Sequence, residues 1–213
     1  MTTIIFVRHG QSIGNLRKEF LGNCDLDLSE LGYKQAECMA EYVAAHYSVN
    51  KIYSSDLLRA YHTAEAAAKK LHLPIIKEPK LREIYAGDWE RKTFAELENK
   101  YSKEYQIWLS DIGHAKCTNG ESIRELKNRV LPCVEKIAED NDGKTVLIVT
   151  HATVLRVLEC VWRGAELDEM KNLPWMRNSS VSVITYENKA WHIHKIGDDS
   201  FLEEFATGFP ANV

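Results

Sequence analysis

Two runs of the chain are apolar without interruption, Ile4-Ile5-Phe6-Val7 and Val146-Leu147-Ile148-Val149. Short β-branched runs with no polar alternation read as strands buried on both faces, as in parallel sheets. Elsewhere the period changes. Ala36, Met39, Ala40, Val43 and Tyr47 recur at spacings of three and four behind Ser29, a suitable N-cap, and mark the buried face of a helix. Lys51 to Ser54 reads as a short strand, and Ser55-Asp56 after it can cap a helix through Ala60, Ala64, Ala67 and Leu71, with Pro74 beyond its end. A short strand is expected near Ile75-Ile76 and an extended piece from Lys80 to Ile84. Ile123, Leu126, Val130, Val134 and Ile137 face inward on a long helix over 121–139, which Pro132 should kink or break. Val154, Leu155, Leu158 and Trp162 continue as a helix after the second apolar strand. Residues 180–186 and 190–196 read as a closing hairpin around Glu187-Asn188-Lys189.

Two stretches are less regular. Residues 10–28 read as a polar loop, and residues 85–119 carry Trp89, Tyr101, Tyr105 and Trp108 on helical fragments. A segment as long as 85–119 between core elements serves either as a lid over a site or as an ordinary packed helical pair. No repeat, low-complexity tract or linker divides the chain. The 213 residues therefore read as one domain over 1–213. Strands alternating with helices make the fold α/β, a three-layer αβα sandwich around a mainly parallel sheet, with a helical lid segment.

Both apolar strands end at a histidine. The first delivers Arg8-His9-Gly10 and the second Thr150-His151. Parallel strands bring their carboxyl ends to one edge of the sheet, the usual active edge of α/β proteins. His9 and His151 can meet there beside Arg8 and Arg59, although the sequence does not fix which strands are neighbours. An arginine fork suits phosphate or carboxylate, an imidazole can attack or move a proton, and Gly10 lets the backbone approach a ligand.

Composition narrows this further. A net charge of -4 and a pI near 6.1 argue against general nucleic-acid or membrane-surface binding, so any anion must meet a local concentration of cations. Five cysteines, widely spaced and without a CxxC pair, fit reduced thiols rather than a disulfide framework or a zinc site. No basic leader with an apolar h-region and no bilayer-length apolar run is seen, so the expected location is cytoplasmic. His192 and His194 would share one strand face as a metal pair does, but with no third ligand nearby a solvated face is the plainer reading. Gly120-Glu121-Ser122 lacks P-loop spacing; it reads as a helix cap, with Ser122 able to reach the site.

With these residues in place, the chain resembles the histidine phosphatase superfamily, the phosphoglycerate mutase-like branch one. The resemblance runs through Phe6 to Asn15, then Gly22, Asp25, Leu28, Ser29, Gly32, Gln35 and Ala36. It continues through Ser55 to Ala60 with Thr63-Ala64, and through Leu81-Arg82-Glu83 with Gly87 and Trp89-Glu90. Gly120-Glu121-Ser122, Thr150-His151 with Arg156, and Asn178-Ser179-Ser180 complete the series. It implies His9 as a phosphorylated nucleophile. Arg8, Arg59 and, if protonated, His151 would stabilise the transferred phosphoryl group, and Glu83 would act as general acid and base. Ser12, Asn15, Gly22 and Ala152 are the implied substrate-binding positions. Two departures stand out: Ala152 replaces a common glycine after the second histidine, and Arg91 replaces one after Trp-Glu.

The function so implied is a metal-independent phosphatase acting on small phosphate monoesters, with no cofactor and with a small phosphorylated metabolite as partner. A homodimer is a further expectation. The alternative is a cofactor-dependent phosphoglycerate mutase, disfavoured because residues 91–119 lack the paired arginines of such mutases. A phospho-ligand binding module without catalysis is a third reading. Lys92, Lys116, His114 and Arg17 are candidates for holding a second anionic group. The aromatics between Tyr85 and Trp108 would instead favour a less polar ester.

Overall fold

The protein is described from a computed structural model, over residues 1–208. Residues 209–213, which the single-domain reading included, lie outside the described residues. In chain order the elements are β1 (Thr2–Arg8), α1 (Ile13–Leu16), β2 (Glu19–Phe20), α2 (Glu30–His46), β3 (Lys51–Ser54) and α3 (Leu58–Leu71). Next come β4 (Ile75–Lys77), β5 (Lys92–Thr93), α4 (Phe94–Lys100), α5 (Ser102–Ser110) and α6 (Ile123–Glu139). The last are β6 (Thr145–Thr150), α7 (Ala152–Trp162), β7 (Val181–Glu187) and β8 (Ala190–Asp198).

Six strands form one sheet in the order β4-β3-β6-β1-β7-β8. The pairs β4–β3, β3–β6 and β6–β1 are parallel, and only β7 runs against the rest. The mainly parallel sheet of the sequence reading is therefore present. Because strand side chains alternate, β1 sends Ile4 and Phe6 into a core shared with α6, α7 and the 81–117 segment. Ile5 and Val7 go into a second core shared with α2 and α3. Burial on both faces explains the unbroken apolar runs. β7 and β8 join through Asn188 and Lys189, both at positive φ, the two-residue turn that suits the twist of a hairpin.

Helix starts follow the capping chemistry, with one correction. Ser29 caps α2 through the Gly32 N–H, and Ser122 with Glu125 forms a capping box on α6, whose helix runs through Pro132 without a break. Ser122 is engaged there and does not reach the site. At α3, however, Ser55-Asp56 is not the side-chain cap. The Asp25 carboxylate, thirty-three residues earlier, accepts from Leu58 N at 2.6 Å, and Asp56 instead pairs with Arg82.

Three further readings change. Residues 10–28 contain α1 and β2 rather than loop alone, and 79–81 is a 3-10 turn rather than extended chain. Gly10 does not line the cavity; a Cβ there would lie 2.4 Å from the Gly32 carbonyl oxygen, so its smallness serves the packing of α2. Arg91 sits at φ 64, a conformation that favours glycine, and its Nε is held by Glu19 at 2.7 Å across the β2–β5 pair.

Residues 85–119 are anchored by packing. Trp89, Tyr105 and Trp108 are buried with Phe20 in a cluster of edge-to-face rings. Such pairs add about 0.5–1.5 kcal/mol each beyond area burial. The same segment turns Phe94 and Trp108 toward the cavity described next.

Candidate active site

β1 and β6 are hydrogen-bonded neighbours with Arg8 opposite Thr150, so the next residue of each, His9 and His151, emerges side by side at the carboxyl edge. His9 N–H donates to the Thr150 carbonyl at 3.0 Å, and the two rings meet edge to face with centroids 5.1 Å apart. His9 Nδ1 lies 2.7 Å from the Gly10 carbonyl oxygen. A carbonyl only accepts, so Nδ1 carries the proton and Nε2 keeps its lone pair. His151 is fully buried and does not itself line the cavity. Its Nε2 meets Ser55 Oγ at 2.8 Å, and its Nδ1 has no hydrogen-bond partner among the described residues.

Both imidazoles are neutral in this setting. Burial, then the charges of Arg59 and Arg8, push the His9 pKa well below the usual 6.5; burial, Arg59 and His9 do the same to His151. The condition set for His151, that it be protonated, is thus not favoured in the protein alone. A phosphoryl dianion alongside would favour the charged form again.

Arg8 and Arg59 are both buried, and burial lowers each guanidinium to about 10, which leaves both charged at neutral pH. Arg59, in the first turn of α3, donates to the carbonyls of Cys24 and Gly22 at 2.8 Å each, while its Nε is buried without a partner. Arg8 donates to the Met176 carbonyl at 2.7 Å. Glu83 faces these cations. Its Oε1 accepts from Ile84 N at 2.9 Å and its Oε2 from Thr153 N at 3.2 Å, at the amino end of α7.

Together these groups form the polar part of a cavity of about 660 Å³ lined by Arg8, His9, Asn15, Arg59, Glu83 and Asn178. Gly22 and Ala152 also line it. Ser12 does not: its hydroxyl accepts from Asn15 N and its N–H donates to Asn15 Oδ1, so it shapes the α1 turn that carries Asn15. Leu16, Phe20, Leu21, Phe94, Trp108 and Trp175 add apolar surface to the wall, interleaved in the chain with Lys18 and Glu19, which also line it. Arg17, Lys92, His114 and Lys116 are not in the wall. His114 pairs with Asp111 and Asp168, and Lys116 with Glu125. Lys18 lines the cavity in their stead.

Several site residues were given no role from the sequence, although Gln11, Ser55 and Asn178 stand within the motif blocks. Asn178 Nδ2 donates to the His9 carbonyl at 2.9 Å, Ser55 orients His151, and Gln11, Thr153 and Trp175 line the cavity. Ser55 had a signal: it follows β3 directly and so emerges at the same sheet edge. The thiols stay out of the chemistry, since burial raises Cys24 to about 11 and Cys117 further still. His194 Nε2 meets Thr185 Oγ1 on β7, and no cluster of three metal-ligating side chains occurs among the described residues.

Comparison with known proteins decides the lineage. The model of the histidine phosphatase superfamily (branch 1) matches residues 4–199. The chain belongs to that superfamily. Among its relatives, phosphoserine phosphatase 1 of Hydrogenobacter thermophilus is 32% identical over 96% of each chain. Phosphoglycerate mutase-like protein 4 of Arabidopsis thaliana is 31% identical over 97% of this chain and 88% of its own. Among solved structures, Bacillus stearothermophilus YhfR superposes with a TM-score of 0.90 at 30% identity, covering 95% of this chain and 100% of its own. A mycobacterial glucosyl-3-phosphoglycerate phosphatase in complex with VO3 gives 0.85 at 27%, covering 92% and 99%. The α/β histidine phosphatase fold and a phosphatase-type assignment agree with these relatives. No helix among the described residues is long and apolar enough to cross a membrane.

Proposed function

We propose that this histidine phosphatase hydrolyses small phosphate monoesters by way of a phosphohistidine at His9. The observation that carries the reading is the fixed tautomer: Nδ1 bonded to the Gly10 carbonyl leaves Nε2 unprotonated in a cavity lined by two buried arginines. In the first step the Nε2 lone pair forms a bond to phosphorus as the ester oxygen departs. Glu83 in its acid form passes its proton to that oxygen. In the second, Glu83 as carboxylate takes a proton from water, which attacks phosphorus and frees Nε2. Arg8 and Arg59 face the charge spread over the remaining oxygens. Arg59, whose Nε is without a partner, and the Asn15 amide line the cavity as further donors.

The aromatic side chains in the wall, Phe20, Phe94, Trp108 and Trp175, support substrates whose alcohol part is partly flat. A panel of phosphate monoesters will test that preference. Rapid quench should trap an acid-labile phosphoryl group on His9, and His9→Ala should abolish turnover; intact turnover in that variant ends the reading. Conversion of 3-phosphoglycerate to 2-phosphoglycerate with 2,3-bisphosphoglycerate, outpacing phosphate release, would instead make the enzyme a mutase.

A further inference from the structure

Arg129 lies within α6, outside the cavity wall, yet every one of its N–H groups has an acceptor. Nε donates to Glu121 Oε1 at 3.0 Å. One terminal nitrogen donates to the Lys80 and Arg82 carbonyls at 2.7 and 3.0 Å. The other donates to the Glu83 carbonyl at 3.2 Å and to Glu121 Oε2 at 2.9 Å. A guanidinium has five donors and all are engaged. Glu121 Oε2 also accepts from Tyr85 N at 3.1 Å, and Glu121 N–H donates to the Tyr85 carbonyl at 2.7 Å. Gly120 makes that approach feasible, since a Cβ there would lie 2.4 Å from the same carbonyl oxygen. On the opposite side, Thr150 Oγ1 donates to the Leu81 carbonyl at 2.7 Å.

The stretch from Lys80 to Tyr85 is thus tied at its backbone from end to end, and only one of its side chains lines the cavity. Leu81 and Ile84 point into the core, Arg82 pairs with Asp56, and Glu83 faces the arginines. The Glu83 carboxylate is aligned by two N–H groups, one of them on its own loop, so its position follows the backbone. Proton transfer needs the acid within hydrogen-bond reach of the departing oxygen. A misplacement of about 1 Å can cost on the order of 10²-fold in rate.

We propose that Arg129 and Glu121 are positioning residues that clamp the 80–85 backbone so that Glu83 meets the leaving-group oxygen. The inference rests on the reading of Glu83 as the general acid. Neither residue lines the cavity, and an effect that passes through Glu83 depends on how much the leaving group needs a proton, whereas the Arg129 charge felt by His151 would act on both kinds of ester alike.

The test compares kcat/KM for 4-nitrophenyl phosphate, whose phenolate departs unaided, with benzyl phosphate, whose alkoxide does not. Glu83→Gln should lose about 10²–10⁴-fold on the benzyl ester and far less on the nitrophenyl ester. Arg129→Met and Glu121→Gln should lose about 10–100-fold on the benzyl ester and roughly 3-fold or less on the other. Arg129→Lys, which keeps the charge but not the fork, should fall between. Should Arg129→Met not fold, Arg129→Lys and Glu121→Gln carry the same comparison. If Glu83→Gln discriminates between the esters but the Arg129 and Glu121 variants do not, the clamp is refuted and the acid stands. If Glu83→Gln itself does not discriminate, both readings fall.

Discussion

At the scale of single residues, the site works by removing alternatives. The Gly10 carbonyl leaves His9 one reactive nitrogen, and burial among cations keeps that nitrogen unprotonated. Arg59 shows why its residue type is fixed. Its two terminal nitrogens donate to the Cys24 and Gly22 carbonyls, which fixes the guanidinium plane while Nε and the second N–H of each terminal nitrogen have no acceptor assigned. Lysine has neither the plane nor the fork to do both. Arg59→Lys and Arg59→Met should therefore both lower kcat/KM on 4-nitrophenyl phosphate, by about 10²–10³-fold. Recovery of wild-type rates by lysine would show that charge alone is needed. Arg8 and Arg59 were readable because each stands beside a strand end or a helix start. Asn178 was readable as a motif residue but its contact was not, because an asparagine in a late turn looks the same whether or not its amide holds a carbonyl 169 residues away.

At the scale of elements, each functional side chain is delivered by an element whose end is fixed from outside. α3 carries Arg59 in its first turn, and that turn is capped by Asp25 rather than by its own flanking residues. Replacing Asp25 with alanine should cost about 0.5–2 kcal/mol, a melting shift of roughly 2–4 °C per kcal/mol in a chain of this size. KM should rise as Arg59 loosens. Asp25→Asn should restore most of both, since asparagine also caps; thermal melts and initial rates check this. The helical periods of α2, α6 and α7 were legible because a packed face repeats every three to four residues. The cap of α3 was hidden because the capping group is distant in sequence. The 85–119 segment was ambiguous for a related reason: aromatic residues on short helices look alike whether they fill a core or wall a cavity. Here Trp89 and Tyr105 do the first, and Phe94 and Trp108 do both.

At the scale of the whole molecule, the sheet holds two neutral imidazoles and two buried arginines close together, which makes stability depend on pH. Unfolded histidines take up protons below about pH 6.5, whereas buried His9 and His151 resist doing so. The unfolded state then binds more protons, and stability falls as pH falls through that value. Each histidine costs up to about 1.4 kcal/mol per pH unit until its native pKa is reached. Chemical denaturation between pH 7.5 and 5 should show this loss, and His9→Ala should flatten it; a pH-independent midpoint would contradict the neutral assignment.

Both apolar strands, the α/β class and a histidine at each strand's end were determined by the sequence alone. Burial on two faces leaves a local mark, a run without polar interruption, that needs no partner to be recognised. Tertiary structure alone decided that β1 and β6 are neighbours, that Asp25 caps α3, and that Arg129 ties down the loop bearing Glu83. Those outcomes depend on which distant segments pack together, and a hydrogen bond between residues far apart in the chain leaves no periodicity in either of them.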